Sequence, residues 1–151
     1  MERIGSGRPL ERQIGFCRVV VAGALVAVSG CAPTNPDGSS AGGNDPYLQA
    51  KACLAVIRSA LESAGCSPAD VYRTRMYITE MAVSEAVGRA HGEMFASHPP
   101  ASTMVVVKGL LRPEWLVEIE ADALRPASSV GPPPGLRPKP GRGNRSGHPR
   151  G

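Results

Sequence analysis

The chain has 151 residues, of which 42% are hydrophobic and 20% are charged, and its net charge is +4. This length fits one ordinary domain, and no apolar run approaches the roughly 18 to 20 residues that a helix needs to cross a bilayer. All of the positive excess lies after Arg125, because residues 1–125 sum to −1. The charge therefore indicates no nucleic-acid surface on the folded part, and we expect no membrane partner.

The composition changes once, after Arg125. Residues 126–151 consist almost entirely of Pro, Gly, Ser and Arg, which offer too little apolar surface to offset the entropy cost of ordering. No aromatic residue stands among these arginines to stack on a base, so we expect at most weak contacts of this segment with nucleic acid. We predict one domain over residues 1–125 and a disordered tail over 126–151.

The four cysteines suggest neither a metal site nor a disulfide framework. Cys17, Cys31, Cys53 and Cys66 form no CxxC pair, and no histidine lies at a spacing typical of zinc ligands. We predict reduced and mostly buried thiols, no bound metal and no cofactor.

The first thirty residues allow two interpretations. Residues 1–13 are charged and look irregular, and the stretch "RVVVAGALVAVSGC" at 18–31 follows. It matches the pattern at which bacterial lipoproteins are cut and lipidated, but the segment before it is long and contains the acids Glu2 and Glu11. The alternative is a hairpin of strands 18–21 and 24–28, hinged at a glycine. We favour the hairpin, and with it a cytoplasmic location.

The remaining elements follow from periodicity and from helix-breaking residues. The loop at 31–44 is dense in Pro, Gly, Asn and Ser. Asp45 followed by proline predicts the start of a helix, in which apolar residues recur at three and four until Gly65 ends it. A second helix is predicted at 83–96, and three further strands at 71–79, 103–108 and 116–124.

The last predicted strand alternates most clearly. Apolar residues lie on one face, and Glu118, Glu120 and Asp122 lie on the other. Such a row of carboxylates needs cations opposite it, and the strand at 71–79 places Arg73 and Arg75 on one face. We therefore predict that these two strands are neighbours in the sheet and that the arginines form ion pairs with the acids.

The order β-β-α-β-α-β-β predicts an α+β fold with one mixed sheet and both helices on one face. The other face of the sheet then has no cover. A small domain with a bare sheet face commonly buries it against another copy of itself.

Several motifs resemble one family in order and spacing: "IGF", "VSGCAP", "DVYRTRMYIT", "GRAHGEMF", "PASTMVVV" and "LVEIEADA". Over residues 14–125 the chain resembles the RidA family, the reactive intermediate (imine) deaminases that were also described as endoribonucleases. The resemblance implies a chorismate-mutase-like fold and a homotrimer with a ligand cleft at each subunit interface. It also implies cofactor-independent hydrolysis of 2-imino or enamine acids to 2-keto acids and ammonia.

Part of the site implied by the resemblance is retained. Ser29 and Gly30 match the family's cleft residues, and Glu118 matches the glutamate associated with positioning the attacking water. His91 falls in the "AHGE" pattern of the second helix, and we expect it to be structural rather than catalytic.

Three cleft positions depart from the deaminating members. Ser102 stands where those members have the arginine that holds the substrate carboxylate, and serine cannot replace that cation. Cys17 stands in place of a tyrosine, and Met104 in place of a cysteine. The combination resembles the subgroups that lack the arginine, so we expect 2-imino acid deamination to be weak or absent.

Two hypotheses follow for the cleft. In the first, the protein keeps a trimeric cleft for a small organic acid, similar to an imino, enamine or keto acid, without efficient catalysis. In the second, it is a hydrolase of altered specificity in which Arg75 supplies the cation and Glu118 handles the proton. An ion pair between Arg75 and the acidic row is the stronger interpretation of Arg75.

Overall fold

A computed structural model describes residues 1–127, and within them the strands and main helices follow the predicted α+β order. The predicted tail lies outside the described residues except for its first two. The strands are β1 (Glu2–Ile4), β2 (Val19–Ala22), β3 (Leu25–Cys31), β4 (Val71–Ile78), β5 (Ala101–Val106) and β6 (Val117–Leu124), and the α-helices are α1 (Pro9–Ile14), α2 (Pro46–Ser63) and α3 (Ser84–Phe95).

The described strands form a single mixed sheet in the order β1-β2-β3-β6-β4-β5. All neighbours are antiparallel except β4 and β5, which run parallel. Helix α3 lies between β4 and β5 in the chain, as a parallel connection requires. This order puts the hairpin of β2 and β3 directly beside β6, the strand that carries the row of acids.

The stretch at 18–31 forms the predicted hairpin. Val19 pairs with Val28 and Ala22 with Leu25, and the turn between them contains Gly23 at a φ of 64°. A residue with a side chain adopts this left-handed conformation only with strain, so glycine fits the turn. Val19 and Val28 are both buried, which makes the hairpin part of the core.

Both main helices cover the same face of the sheet. The Asp45 side chain accepts hydrogen bonds from the backbone amides of Tyr47 and Leu48, and so caps α2 as predicted. The Cys53 thiol of α2 donates to the carbonyl of Val117, while α3 contacts β4 through His91. The apolar side of β6 is buried beneath the helices: Val117, Ile119, Ala121 and Ala123.

The structure corrects three predictions. Residues 1–13 are not irregular, because β1 pairs with β2 and Pro9 starts the short helix α1. Alternation along the strand predicted at 71–79 puts Tyr72 on the same face as Thr74 and Met76, but the register with β6 shifts between Val71 and Arg73 and leaves Tyr72 exposed. Strand β5 begins at Ala101, two residues before the prediction. Among the described residues, no helix is both long and apolar enough to cross a membrane.

Candidate active site

A break in the pairing of β3 with β6 forms the centre of the site. The register shifts between Val28 and Cys31, so Ser29 and Gly30 bulge out of the ladder. The Arg18 guanidinium holds this bulge, because its Nη1 donates to the carbonyl of Gly30 at 2.7 Å and to that of Ser29 at 3.2 Å. The Ser29 hydroxyl donates to the carbonyl of Cys17 at 2.7 Å. The backbone of the bulge is therefore fixed from two sides.

Glu118 extends from β6 over this bulge. A Cβ built on Gly30 would overlap the Oε1 of Glu118, with the carboxyl carbon at 3.2 Å. Glycine at position 30 thus leaves the space that the carboxylate occupies. The two residues lie 88 positions apart in the chain, and the pairing of β3 with β6 brings them next to each other.

Glu118 is partly buried. Its carboxylate forms no ion pair or hydrogen bond within residues 1–127. Burial raises the pKa of Glu118, the charge of Arg18 lowers it, and the charge of Glu120 raises it again. A carboxyl group with a raised pKa keeps its proton to a higher pH than an ordinary glutamate does, and such a group can serve as an acid or base toward a ligand. Glu118 therefore has the electrostatic character of an acid or base.

A cavity of about 440 Å³ opens beside Glu118. Ser29, Gly30 and Glu118 all line it, so the structure brings the retained positions together. Its charged lining also includes Arg8, Glu11, Arg18 and Glu120, and the apolar lining consists of Leu10, Ile14, Phe16, Ala32, Leu111 and Trp115. This combination of apolar walls with a few polar groups is typical of a small-molecule site.

Arg75 does not line this cavity. Its Nη1 lies 2.9 Å from the Oε1 of Glu120 and 3.1 Å from the Oδ2 of Asp122, which are its cross-strand neighbours on β6. The hydrogen bonds that Arg75 donates to these two carboxylates, with that to Asp122 first, raise the pKa of Arg75. The ion pairing that the sequence predicts for Arg75 is confirmed, and its guanidinium is directed to the acidic row.

Ser102 and Met104 lie on β5, two strands beyond β6, and do not line this cavity within the single chain. The Ser102 hydroxyl lies 2.8 Å from that of Thr74, which in turn lies 2.8 Å from Nε2 of His91. Thr74 is fully buried, and desolvation lowers the pKa of His91. His91 thus satisfies a buried hydroxyl, which is a structural role.

The four cysteines are free thiols, of which Cys17 is half-buried and the others are buried. The Cys17 thiol donates to the carbonyl of Val19 and does not line the cavity. Burial raises the pKa of Cys31 to about 11, although the nearby Arg18 opposes the shift. Within residues 1–127 no group of His, Cys, Asp and Glu side chains could hold a metal ion.

Sequence reasoning missed both cationic residues that line the cavity, Arg8 and Arg18. Arg8 reaches 26 positions along the chain to donate to the Thr34 hydroxyl at 2.6 Å, and Arg18 lies beside Glu11 at 4.0 Å. Neither contact follows a helical or strand spacing. The fold of the N-terminal segment brings both guanidinium groups to the cavity.

The structure defines a small α+β protein with a cavity at a β-bulge, and comparison with known proteins identifies its family. The family model described as Endoribonuclease L-PSP matches residues 9–125. The chain therefore belongs to this family, which is the YjgF/RidA family.

Its relatives agree with this assignment. An uncharacterized protein of Streptomyces coelicolor, SCO2049, is 37% identical over 127 residues, which are 84% of this chain and 94% of that protein. The crystal structure of Rv2704 from Mycobacterium tuberculosis, a member of the YjgF/YER057c/UK114 family, is 37% identical, with a TM-score of 0.74 over 82% of this chain and 98% of that one. YyfA of Yersinia pestis, a Rid family protein of unknown function, is 29% identical with a TM-score of 0.68, over 72% and 86% of the two chains.

Proposed function

We propose that the protein binds a small organic acid, similar to an imino, enamine or keto acid, in clefts at the subunit interfaces of a homotrimer, and that it deaminates 2-imino acids weakly or not at all. The observation that carries this proposal is the position of Glu118 over Gly30, beside Ser29, in a cavity with apolar walls. The raised pKa of Glu118 gives the cleft its acid or base. Ser102 has no charge with which to hold a substrate carboxylate.

The open face of the sheet supports self-association. It carries the acidic row of β6 and the side chain of Arg75, and the exposed Val105 lies on the neighbouring β5. A closed trimer would cover this face and would complete a cleft that one chain leaves open. Light scattering coupled to gel filtration tests the trimer, for which we expect a mass about three times that of the 15.7 kDa chain. A monomer at micromolar concentration would contradict it.

A hydrolase of altered specificity is the second candidate, with Glu118 as the acid or base. The version in which Arg75 supplies the cation is less favoured, since Arg75 already binds Glu120 and Asp122. The test is hydrolysis of 2-iminobutanoate, followed by trapping of the unreacted imine with semicarbazide. We expect a rate near background, and a rapid Glu118-dependent rate would favour the hydrolase. A location in the cytoplasm is part of the proposal and is tested by fractionation of cells.

A further inference from the structure

The charges that line the cavity beside Glu118 do not all have partners. Glu120 binds Arg75, and Glu11 accepts hydrogen bonds from the amide and hydroxyl of Ser6 and lies near Arg18. Two lining charges remain: the anion of Glu118 and the cation of Arg8. Arg8 forms no ion pair with a carboxylate of residues 1–127.

The contacts of Arg8 leave much of its hydrogen-bonding capacity unused. Nη1 donates to the Thr34 hydroxyl at 2.6 Å, and Nη2 donates to the carbonyl of Asn35 at 3.1 Å. Both acceptors are neutral, and they hold the guanidinium at the N-terminal end of α1. A guanidinium has five N–H donors in a fixed fork, so a carboxylate can still bind two of them.

Arg8, Arg18 and Glu118 all line this cavity. All three act electrostatically on the buried thiol of Cys31, whose pKa Arg18 and Arg8 lower and Glu118 raises. Arg18 already faces the Glu11 carboxylate at 4.0 Å and its Nη1 donates to the bulge, although its buried Nε has no hydrogen-bond partner within residues 1–127. Of the two guanidinium groups, that of Arg8 is the one with no carboxylate nearby within residues 1–127.

The apolar walls indicate the rest of the ligand. Leu10, Ile14 and Leu111 line the cavity with 42%, 61% and 74% of their surfaces exposed, although large apolar side chains gain free energy when they are covered. Phe16 and Trp115 add aromatic surface on the same lining. A ligand with a short hydrocarbon chain would cover these groups.

We propose that Arg8 is the anion-binding residue of the cavity and that the ligand is a monocarboxylic acid with an apolar chain, its carboxylate on Arg8 and its polar functional group beside Glu118. This inference rests on the proposed function and names the cation that Ser102 does not supply. Arg8 precedes α1, next to the β1 edge of the sheet, whereas Ser102 lies on β5 at the opposite edge. A carboxylate held by Arg8 is therefore oriented differently from one held at position 102, which agrees with weak deamination.

The test uses the full-length protein and the probe 4-methyl-2-oxopentanoate, with the neutral amide of that acid as a matched ligand. Calorimetric titration gives the dissociation constant for wild type, Arg8→Gln, Arg8→Lys and Arg12→Gln. Arg12 is exposed on α1 and does not line the cavity, so its variant removes the same charge without touching the site. Circular dichroism and thermal unfolding establish that each variant is folded.

We expect Arg8→Gln to weaken binding of the carboxylate about tenfold or more, because a charge-assisted pair is lost. Arg8→Lys should lose less, since it keeps the charge but not the fork, and Arg12→Gln should match wild type. Binding of the amide should be equal in all four proteins. Equal carboxylate affinity in Arg8→Gln and Arg12→Gln would overturn the role of Arg8 and leave the proposed function intact.

If Arg8→Gln does not fold, the comparison of wild type with Arg8→Lys decides, and equal affinity in those two proteins overturns the inference. If wild type is folded but binds neither the carboxylate nor the amide, the proposed organic-acid cleft is overturned, and with it the proposed role of Arg8. The two failures are thus distinguishable.

Discussion

The carboxylate of Glu118 occupies the space that a side chain at position 30 would need, so Gly30 and Glu118 form one structural unit across β3 and β6. Arg18 holds the backbone of the bulge from one side, and the Ser29 hydroxyl ties it to Cys17 from another. The position of the Glu118 carboxylate therefore depends on the shape of the bulge as much as on its own strand.

The first prediction concerns this unit. Gly30→Ala should displace the Glu118 carboxylate and abolish ligand binding, while the free energy of unfolding falls by only about 1 kcal/mol, because the end of the glutamate can swing aside. Urea denaturation measures the stability, and titration with 4-methyl-2-oxopentanoate measures the binding. Gly88→Ala on α3, where a Cβ meets nothing within 4 Å, is the control and should bind as wild type does. Undiminished binding in Gly30→Ala would show that the close contact is not needed.

The second prediction concerns the pH dependence of stability. Burial raises the pKa of Glu118 above its ordinary value of 4.5, so the folded state binds its proton more tightly than the unfolded state does. The free energy of unfolding should then fall as the pH rises from 4.5 through the folded-state pKa. Glu118→Gln should remove this fall and be more stable than wild type at neutral pH. Equal pH profiles in wild type and variant, measured by thermal unfolding against the control Glu85→Gln, would contradict the raised pKa.

The third prediction separates the two roles considered for Arg75. Arg75→Met leaves Glu120 and Asp122 without the cation that binds both, so the melting temperature should fall, most strongly at low salt. Affinity for the carboxylate probe should stay the same, because Arg75 does not line the cavity. A loss of affinity with no loss of stability would instead identify Arg75 as the ligand's cation.

The fourth prediction concerns the hydrogen bonds beneath β5. Thr74→Val should cost about 1 to 3 kcal/mol in urea denaturation, because it leaves the Nε2 of the partly buried His91 without its partner at 2.8 Å. Thr103→Val is the control, since Thr103 is exposed on the neighbouring strand. Equal stability in the two variants would mean that the His91 contact contributes nothing.

Much of the fold could be predicted because its elements follow simple periodic patterns. The alternation of β6, the cap at Asp45 and the hairpin glycine at 23 each depend on a few neighbouring residues. Strand β1 and helix α1 escaped prediction because they contain only 3 and 6 residues, too few for a period to appear. They are ordered by their contacts with β2 and with the loop at Thr34.

Some residues of the candidate site could be predicted from the sequence, and others could not. Glu118, Ser29 and Gly30 were found from the resemblance, and the structure brings them to one cavity. The roles of Arg8 and Arg18 could not be found in the same way, since long side chains that cross between elements follow no sequence spacing. Ser102 lies on the edge strand β5, away from the cavity beside Glu118 within one chain.

The most direct test of the account is whether an arginine at position 102 restores deamination. The rate of 2-iminobutanoate hydrolysis is to be measured in wild type, Ser102→Arg, the neutral control Ser102→Gln, and Ser102→Arg combined with Glu118→Gln. We expect rates near background in wild type and the control, a rise of about tenfold or more in Ser102→Arg, and its loss in the double variant. Rapid hydrolysis by wild type, or a double variant as fast as Ser102→Arg, would contradict the account.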